Sequence, residues 1–284
     1  MSKRVLSVVM CAALAVMWSV PAGAEDNIDG ARKILKNYGK AVVHVEAILS
    51  ISAEGPMAGR MGGTREQKVQ ITGTVLDESG LTVVSYTSLN PTSAMKNVKV
   101  RGSDGQPMSL SIKGELSDVK IVLPDGTEIP ARVVLKDEDL DMAFILPKDK
   151  IEKEASEQIQ AVDLSKAAAK ASRLDQIVRL GRLGKDLNRE LVIRLDRISA
   201  IITKPRTFYI LGGAQPGTPV FATDGKLLGI IVFHKKPGGS STSRGRVGAQ
   251  GTPMVLPTKD VKKIADQARQ EIAKAPTTKK SADK

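Results

Sequence analysis

Thr72-Gly73-Thr74-Val75-Leu76-Asp77 leads through Gly80 into Val83-Val84-Ser85-Tyr86-Thr87-Ser88-Leu89. Two β-branched stretches flank an Asp-to-Gly turn signal, which is how short strands joined by a tight connection read in sequence. The pattern recurs on either side. Residues 41–51, 69–76, 81–85, 98–101, 120–123, 128–136 and 142–146 are short apolar, β-branched runs, and Pro124-Asp125-Gly126 is a hairpin signal between two of them. A second group follows at 176–180, 190–203, 207–211, 218–222, 227–233 and 252–256. The Lys-, Glu- and Ala-rich stretch 148–171 reads as the crossover between the groups. Helical spacing appears only at the flanks, with Ile28, Ala31, Ile34 and Leu35 within 26–38, and Val261, Ile264, Ala265, Ala268 and Ile272 near the other end.

Two groups of about six short strands each predict an all-β fold of two antiparallel six-stranded β-barrels, with a short N-terminal helix and a C-terminal helix. The organisation expected is a signal peptide at 1–24, helix and first barrel at 25–147, crossover at 148–171, second barrel at 172–257, closing helix at 258–275 and a disordered basic tail at 276–284. Two Gly-rich loops, 53–64 and 237–251, interrupt the strands, and neither has the spacing of a phosphate loop.

Composition narrows the chemistry. Of 284 residues, the first 24 have Lys3 and Arg4, an apolar run and Ala22-Gly23-Ala24, the arrangement of a cleavable export signal. The expected destination is the periplasm or the exterior. Cleavage would remove Cys11 and Trp18, the single cysteine and single tryptophan, and would lower the formal charge from +12 to +10 by taking Lys3 and Arg4. Without a thiol, disulfides, thiolate metal sites and cysteine nucleophiles are excluded. No apolar run outside the signal approaches the length of a membrane-spanning helix. The positive charge favours acidic surfaces, and export together with the lack of interleaved aromatics counts against nucleic acid.

Read in order, four stretches resemble the trypsin-like serine proteases of the HtrA/Deg family, over roughly residues 38–265. These are the Thr72–Leu89 stretch; Leu123-Pro124-Asp125-Gly126 with Leu140-Asp141-Met142-Ala143-Phe144-Ile145; Asp224-Gly225-Lys226-Leu227-Leu228-Gly229-Ile230; and Met254-Val255-Leu256-Pro257 before the last helix. Matched motif by motif, the resemblance puts the family's catalytic histidine at Ser88, its aspartate at Asp141 and its serine at Pro216. A triad needs a hydroxyl nucleophile, an imidazole to take its proton and a carboxylate to orient the imidazole. Only Asp141 fits. Pro216 has neither a hydroxyl nor the backbone N–H that the family uses as an oxyanion-hole donor, and one such donor is typically worth about a hundred- to a thousandfold in rate.

A shifted register does not restore the chemistry. Between Thr207 and Thr223 the other hydroxyls are Tyr209 and Thr218, and no histidine lies between His44 and His234. His44, within a strand, and His234, at a strand end, read as structural or solvated residues, and no HExxH is present. The resemblance therefore implies a pseudoprotease, catalytically inactive and acting as a peptide- or protein-binding or regulatory module, with no cofactor. Gly212, Gly213 and Gly217 are its candidate substrate-binding wall, slim enough for an extended peptide to add as a strand.

Two other readings stay open. One is an active serine-type endopeptidase with relocated groups, Thr218 serving as nucleophile and a lysine as base. The other is a basic envelope protein binding anionic polymer or lipid through the Arg-rich stretch around Arg173, Arg179, Arg182, Arg194 and Arg197. Strand alternation places Arg179, Arg194 and Arg197 outward, on an ordinary solvated face or an anion-binding patch.

Overall fold

A computed structural model describes residues 23–54, 63–95, 98–101, 107–168, 170–235 and 251–274. The signal-like segment 1–22, most of both Gly-rich loops and the basic tail lie outside the described residues. Helix α1, Gly23–Tyr38, precedes strands β1 (Val42–Glu54), β2 (Arg65–Val75), β3 (Thr82–Ser85), β4 (Val98–Arg101), β5 (Pro107–Val122), β6 (Glu128–Asp137) and β7 (Met142–Pro147). After the crossover come β8 (Gln176–Arg182), β9 (Leu191–Arg197), β10 (Ala200–Ile202), β11 (Phe208–Ile210), β12 (Pro219–Ala222), β13 (Leu227–Lys235), β14 (Gly251–Pro257) and helix α2, Thr258–Lys274.

The first sheet runs β1-β2-β3-β7-β6-β5-β4, and β1 pairs back onto β5 to close a six-stranded antiparallel barrel. Closure removes the exposed sheet edges that β1 and β5 would otherwise present. Strand β4 stands outside the ring, paired only to β5. β5 is far longer than the run 120–123 read from sequence. Its first half alternates Ser109, Ser111 and Lys113 with Leu110 and Ile112, so polar residues dilute the β-branched signal. Pairing with β1 supplies the stabilisation that composition does not show, in a register from Glu54–Ser111 to His44–Val122 with a bulge between Glu46 and Ile48.

The second sheet is a seven-stranded half-barrel, β10-β11-β14-β13-β12-β8-β9, where sequence reading expected six strands. The difference is one bend. The run 190–203 breaks at Ile198-Ser199: Ile198 exchanges hydrogen bonds with Leu174 and Asp175 beside β8, whereas the Ser199 N–H turns to the carbonyl of Ile210 on β11. One apolar run thus serves both edges of the sheet as β9 and β10.

Alternation explains why so many strands read as continuous apolar runs. In β13, Ile231 points into the core of the second sheet, whereas Ile230 and Val232 point into a layer shared with the first sheet and both helices. Val220 and Phe221 of β12 divide the same way, as do Val43 and Val42 of β1, with Val43 inside the first barrel. Strands buried on both faces lose the apolar–polar alternation of one-sided sheets. The shared layer takes Ile34 from α1 and Val261, Ile264, Ala265 and Ala268 from α2. Tyr38 stacks on Phe221 with ring centroids 4.9 Å apart. At its far side α2 reaches the first barrel, where Arg269 Nη2 lies 3.0 Å from Asp77 Oδ2 in the β2–β3 turn.

Candidate functional site

Asp141 lies at the β6–β7 turn, fully buried, with φ 56°. Short polar side chains tolerate this left-handed conformation better than most residues do. It turns the carboxylate back toward the end of β3. Oδ1 accepts the Thr87 N–H at 2.7 Å. Oδ2 accepts the Ser85 hydroxyl at 2.6 Å and the Phe233 N–H, from the second sheet, at 2.7 Å. The Asp141 carbonyl also accepts the Tyr86 N–H at 3.1 Å. A carboxylate offers about four lone-pair sites, and here most are taken by donors fixed in the backbone framework.

Ser85 ends β3 and caps the single helical turn Tyr86–Leu89, its Oγ accepting the Ser88 N–H at 3.2 Å. Ser88, the position matched to the catalytic histidine, is half-buried, and its N–H is directed at Ser85 rather than at Asp141. The residues that meet the carboxylate are Ser85 and Thr87. Thr87 Oγ1 is buried with no hydrogen-bond partner. No imidazole reaches this carboxylate among the described residues. His44 Nε2 lies 2.7 Å from the Leu183 carbonyl and His234 is exposed beside Phe208, ring centroids 5.8 Å apart.

The turn carrying Pro216 is tied down on both sides. The Gly217 N–H donates to the Ile231 carbonyl at 2.7 Å, and the Gly217 carbonyl accepts the Thr74 hydroxyl of the first barrel at 2.7 Å. Gln215 Nε2 donates to Thr72 Oγ1 at 2.6 Å. Gly217 has φ 84°, and a β-carbon there would lie 2.2 Å from the Thr72 carbonyl oxygen, so close approach of the two sheets requires glycine at this point. Thr218 is buried and its hydroxyl donates to the Gln215 carbonyl of its own turn at 2.5 Å. Gly212 and Gly213 are exposed beside it, with open space where a side chain would project.

The outward placement of Arg179 does not hold. Arg194 and Arg197 are exposed, but Arg179 is 8% and Arg182 7% exposed. Arg179 sits beneath the 212–218 turn, donating from Nη1 to the Gly213 carbonyl at 2.8 Å and pairing through Nη2 with Asp196 at 2.9 Å. Arg182 bridges the halves, with Nε donating to the Val42 carbonyl at 2.8 Å and Nη2 to the Gly39 carbonyl at 3.1 Å. Alternation puts Arg179 and Arg194 on one face and Arg197, three residues after Arg194, on the other, and a loop from later in the chain covers Arg179. Ser85, Thr87, Phe233 and Gln215 belong to the site and were not singled out in sequence, and Arg179 was read only as part of an Arg-rich surface stretch. Only Ser85 left a local trace, as the cap of a helical turn three residues before Ser88.

Among the described residues, no group of three or more His, Cys, Asp or Glu side chains is placed to hold a metal ion, and no helix is long and apolar enough to cross a membrane. No family model matches the chain, and no curated protein matches it significantly. Solved structures do. A single-site variant of the HtrA-type protease AlgW with a decapeptide is similar at 15% identity and a TM-score of 0.54, over 84% of this chain and 67% of that one. A further AlgW structure with a decapeptide is similar at 14% identity and 0.52, over the same shares. The likeness is one of fold, and the fold is trypsin-like.

Replacing Asp141 by asparagine converts one acceptor oxygen into a donor and strands at least one buried N–H or O–H. The expected loss is on the order of 1–3 kcal/mol, read as a lower urea midpoint at unchanged m-value. An unaltered midpoint would show that the carboxylate holds nothing together. His44 gives a second expectation. Burial first, and then the positive charges of Arg182 and Arg189, hold its pKa below the ordinary imidazole value despite the carbonyls of Leu183 and Ile71. The unfolded chain therefore takes up a proton near pH ~6.5, where the folded chain resists it, so stability falls as pH drops through that value and levels off once the folded ring is protonated. Unfolding of the wild type between about pH 7.5 and 5.5 should show this slope, and His44→Gln should flatten it.

Proposed function

We propose that this chain is an exported pseudoprotease, a trypsin-like fold that holds an extended peptide or protein segment beside its 212–218 turn without hydrolysing it. The observation that carries this reading is the coordination of Asp141. The carboxylate that would orient a catalytic imidazole is met by Ser85, Thr87 and Phe233, and no imidazole among the described residues reaches it. General-base catalysis requires a group that titrates near the working pH, and the hydroxyls at 85, 87 and 88 do not. Pro216 supports the same reading, because it brings neither nucleophile nor N–H. Thr218 as a relocated nucleophile is disfavoured by its donation to the Gln215 carbonyl. Peptide binding is carried over as a proposal from AlgW, whose similar structures are with a decapeptide. Main-chain recognition by strand addition does not depend on a triad.

Purified protein incubated with unfolded casein and a fluorophosphonate serine probe should give neither cleavage nor labelling, identically for wild type and Thr218→Ala. Cleavage by the wild type that disappears in the variant would return the chain to the peptidases. Export is checked separately. Expressed with residues 1–24 in a Gram-negative host, the protein should be recovered from the periplasmic fraction with an N-terminus at Glu25 by mass spectrometry. Recovery from the cytosol with the first 24 residues retained would refute export.

A further inference from the structure

Strands β8 and β9 place Arg179 directly opposite Arg194. Like charges facing each other across a ladder are destabilising unless something negative lies between or beside them. Asp196 answers part of this, through Arg179 Nη2. It leaves Arg179 Nε buried with no partner, and Arg194 makes no ion pair among the described residues. Burial of a guanidinium is costly, and Arg179 is nine-tenths buried with its pKa lowered chiefly by desolvation.

These two arginines line one cleft of about 140 Å³, walled also by Gln215, Thr218, Gly213 and Leu183. The turn of Pro216 thus forms its rim. The volume is well below the roughly 300–1,000 Å³ of a small-molecule pocket and suits a single side chain or chain end. Polar contacts are available from the guanidinium groups, whose fork geometry matches a carboxylate. Leu183, 37% exposed, offers an apolar contact at the margin.

We propose that the Arg179–Arg194 cleft takes the carboxylate of an extended acidic peptide, from an Asp or Glu side chain or from a peptide C-terminus. This rests on the peptide-binding reading above and specifies its ligand class. The carboxylate would complete the charge balance that Asp196 leaves unfinished. The remainder of the peptide would run along the exposed Gly212-Gly213 wall.

The test is fluorescence anisotropy of the full protein with three labelled octapeptides of alanine and leucine. One has a central glutamate and an amidated C-terminus, one has glutamine in its place, and the third is the glutamine peptide with a free C-terminal carboxylate. Either carboxylate-bearing peptide should bind about tenfold more tightly than the neutral one, with the two arms distinguishing side chain from chain end. Arg194→Gln, at an exposed position that leaves the buried Arg179–Asp196 pair intact, should abolish the preference. Arg173→Gln, at an exposed arginine that precedes β8 and does not line the cleft, should not. Equal binding of all three peptides, or a preference that survives Arg194→Gln or is lost equally in Arg173→Gln, overturns the carboxylate site while leaving peptide binding standing. Absence of saturable binding by any peptide overturns both.

Discussion

A carboxylate taken wholly out of water must be matched by donors or it destabilises the fold by several kcal/mol. Asp141 meets that demand with groups from both halves of the molecule. Ser85 and Thr87 fix the end of β3 and the helical turn that follows, and the Phe233 N–H brings β13 of the second sheet to the same two oxygens. The relative placement of barrel and half-barrel is therefore written into one ion. The shared apolar layer, in which Val42, Val83 and Phe144 meet Phe221, Ile230 and Leu256, supplies area but no direction. Hydrogen bonds supply the register. Thr74 with Gly217, Gln215 with Thr72 and Arg182 with Val42 and Gly39 all cross the same boundary.

That network shows where information lies in this sequence. The all-β fold was legible because its strands are short, β-branched and punctuated by turn residues with a mechanism: Gly80, Gly126 and Gly225 all have positive φ, as those turns require. The helices were legible because α1 and α2 present single apolar faces. The first half of β5 was not, since Ser109 becomes strand by pairing with β4 and Ser111 and Lys113 by pairing with β1. Nor was the bend at Ile198-Ser199, because the stretch 190–203 has no Gly or Pro to show that its two ends pair with different neighbours.

The site divides on the same line. Motif order pointed to Asp141 and Pro216. The partners of Asp141 were not, because Ser85 and Phe233 lie 56 and 92 residues from it in the chain. Motif matching also drew the eye to Ser88, one residue beyond the one whose N–H the carboxylate accepts. Arg179 shows a different limit. Periodicity assigns a side chain to a face of its strand, but whether that face meets water depends on the 212–218 turn, more than thirty residues downstream.

In a hydrolase the aspartate must keep a lone pair for an imidazole N–H, and the nucleophile turn must keep its N–H groups directed at the substrate. Here the carboxylate meets hydroxyl and backbone donors and no imidazole among the described residues, and the 215–218 turn carries Pro216, which has no N–H. Asp141 ties the two sheets together through Phe233, and the 215–218 turn settles onto Thr72 and Thr74. A serine restored at 216 alone would regain a hydroxyl without a base to activate it. The bonds made by the carboxylate and by the turn together hold the two sheets to one another.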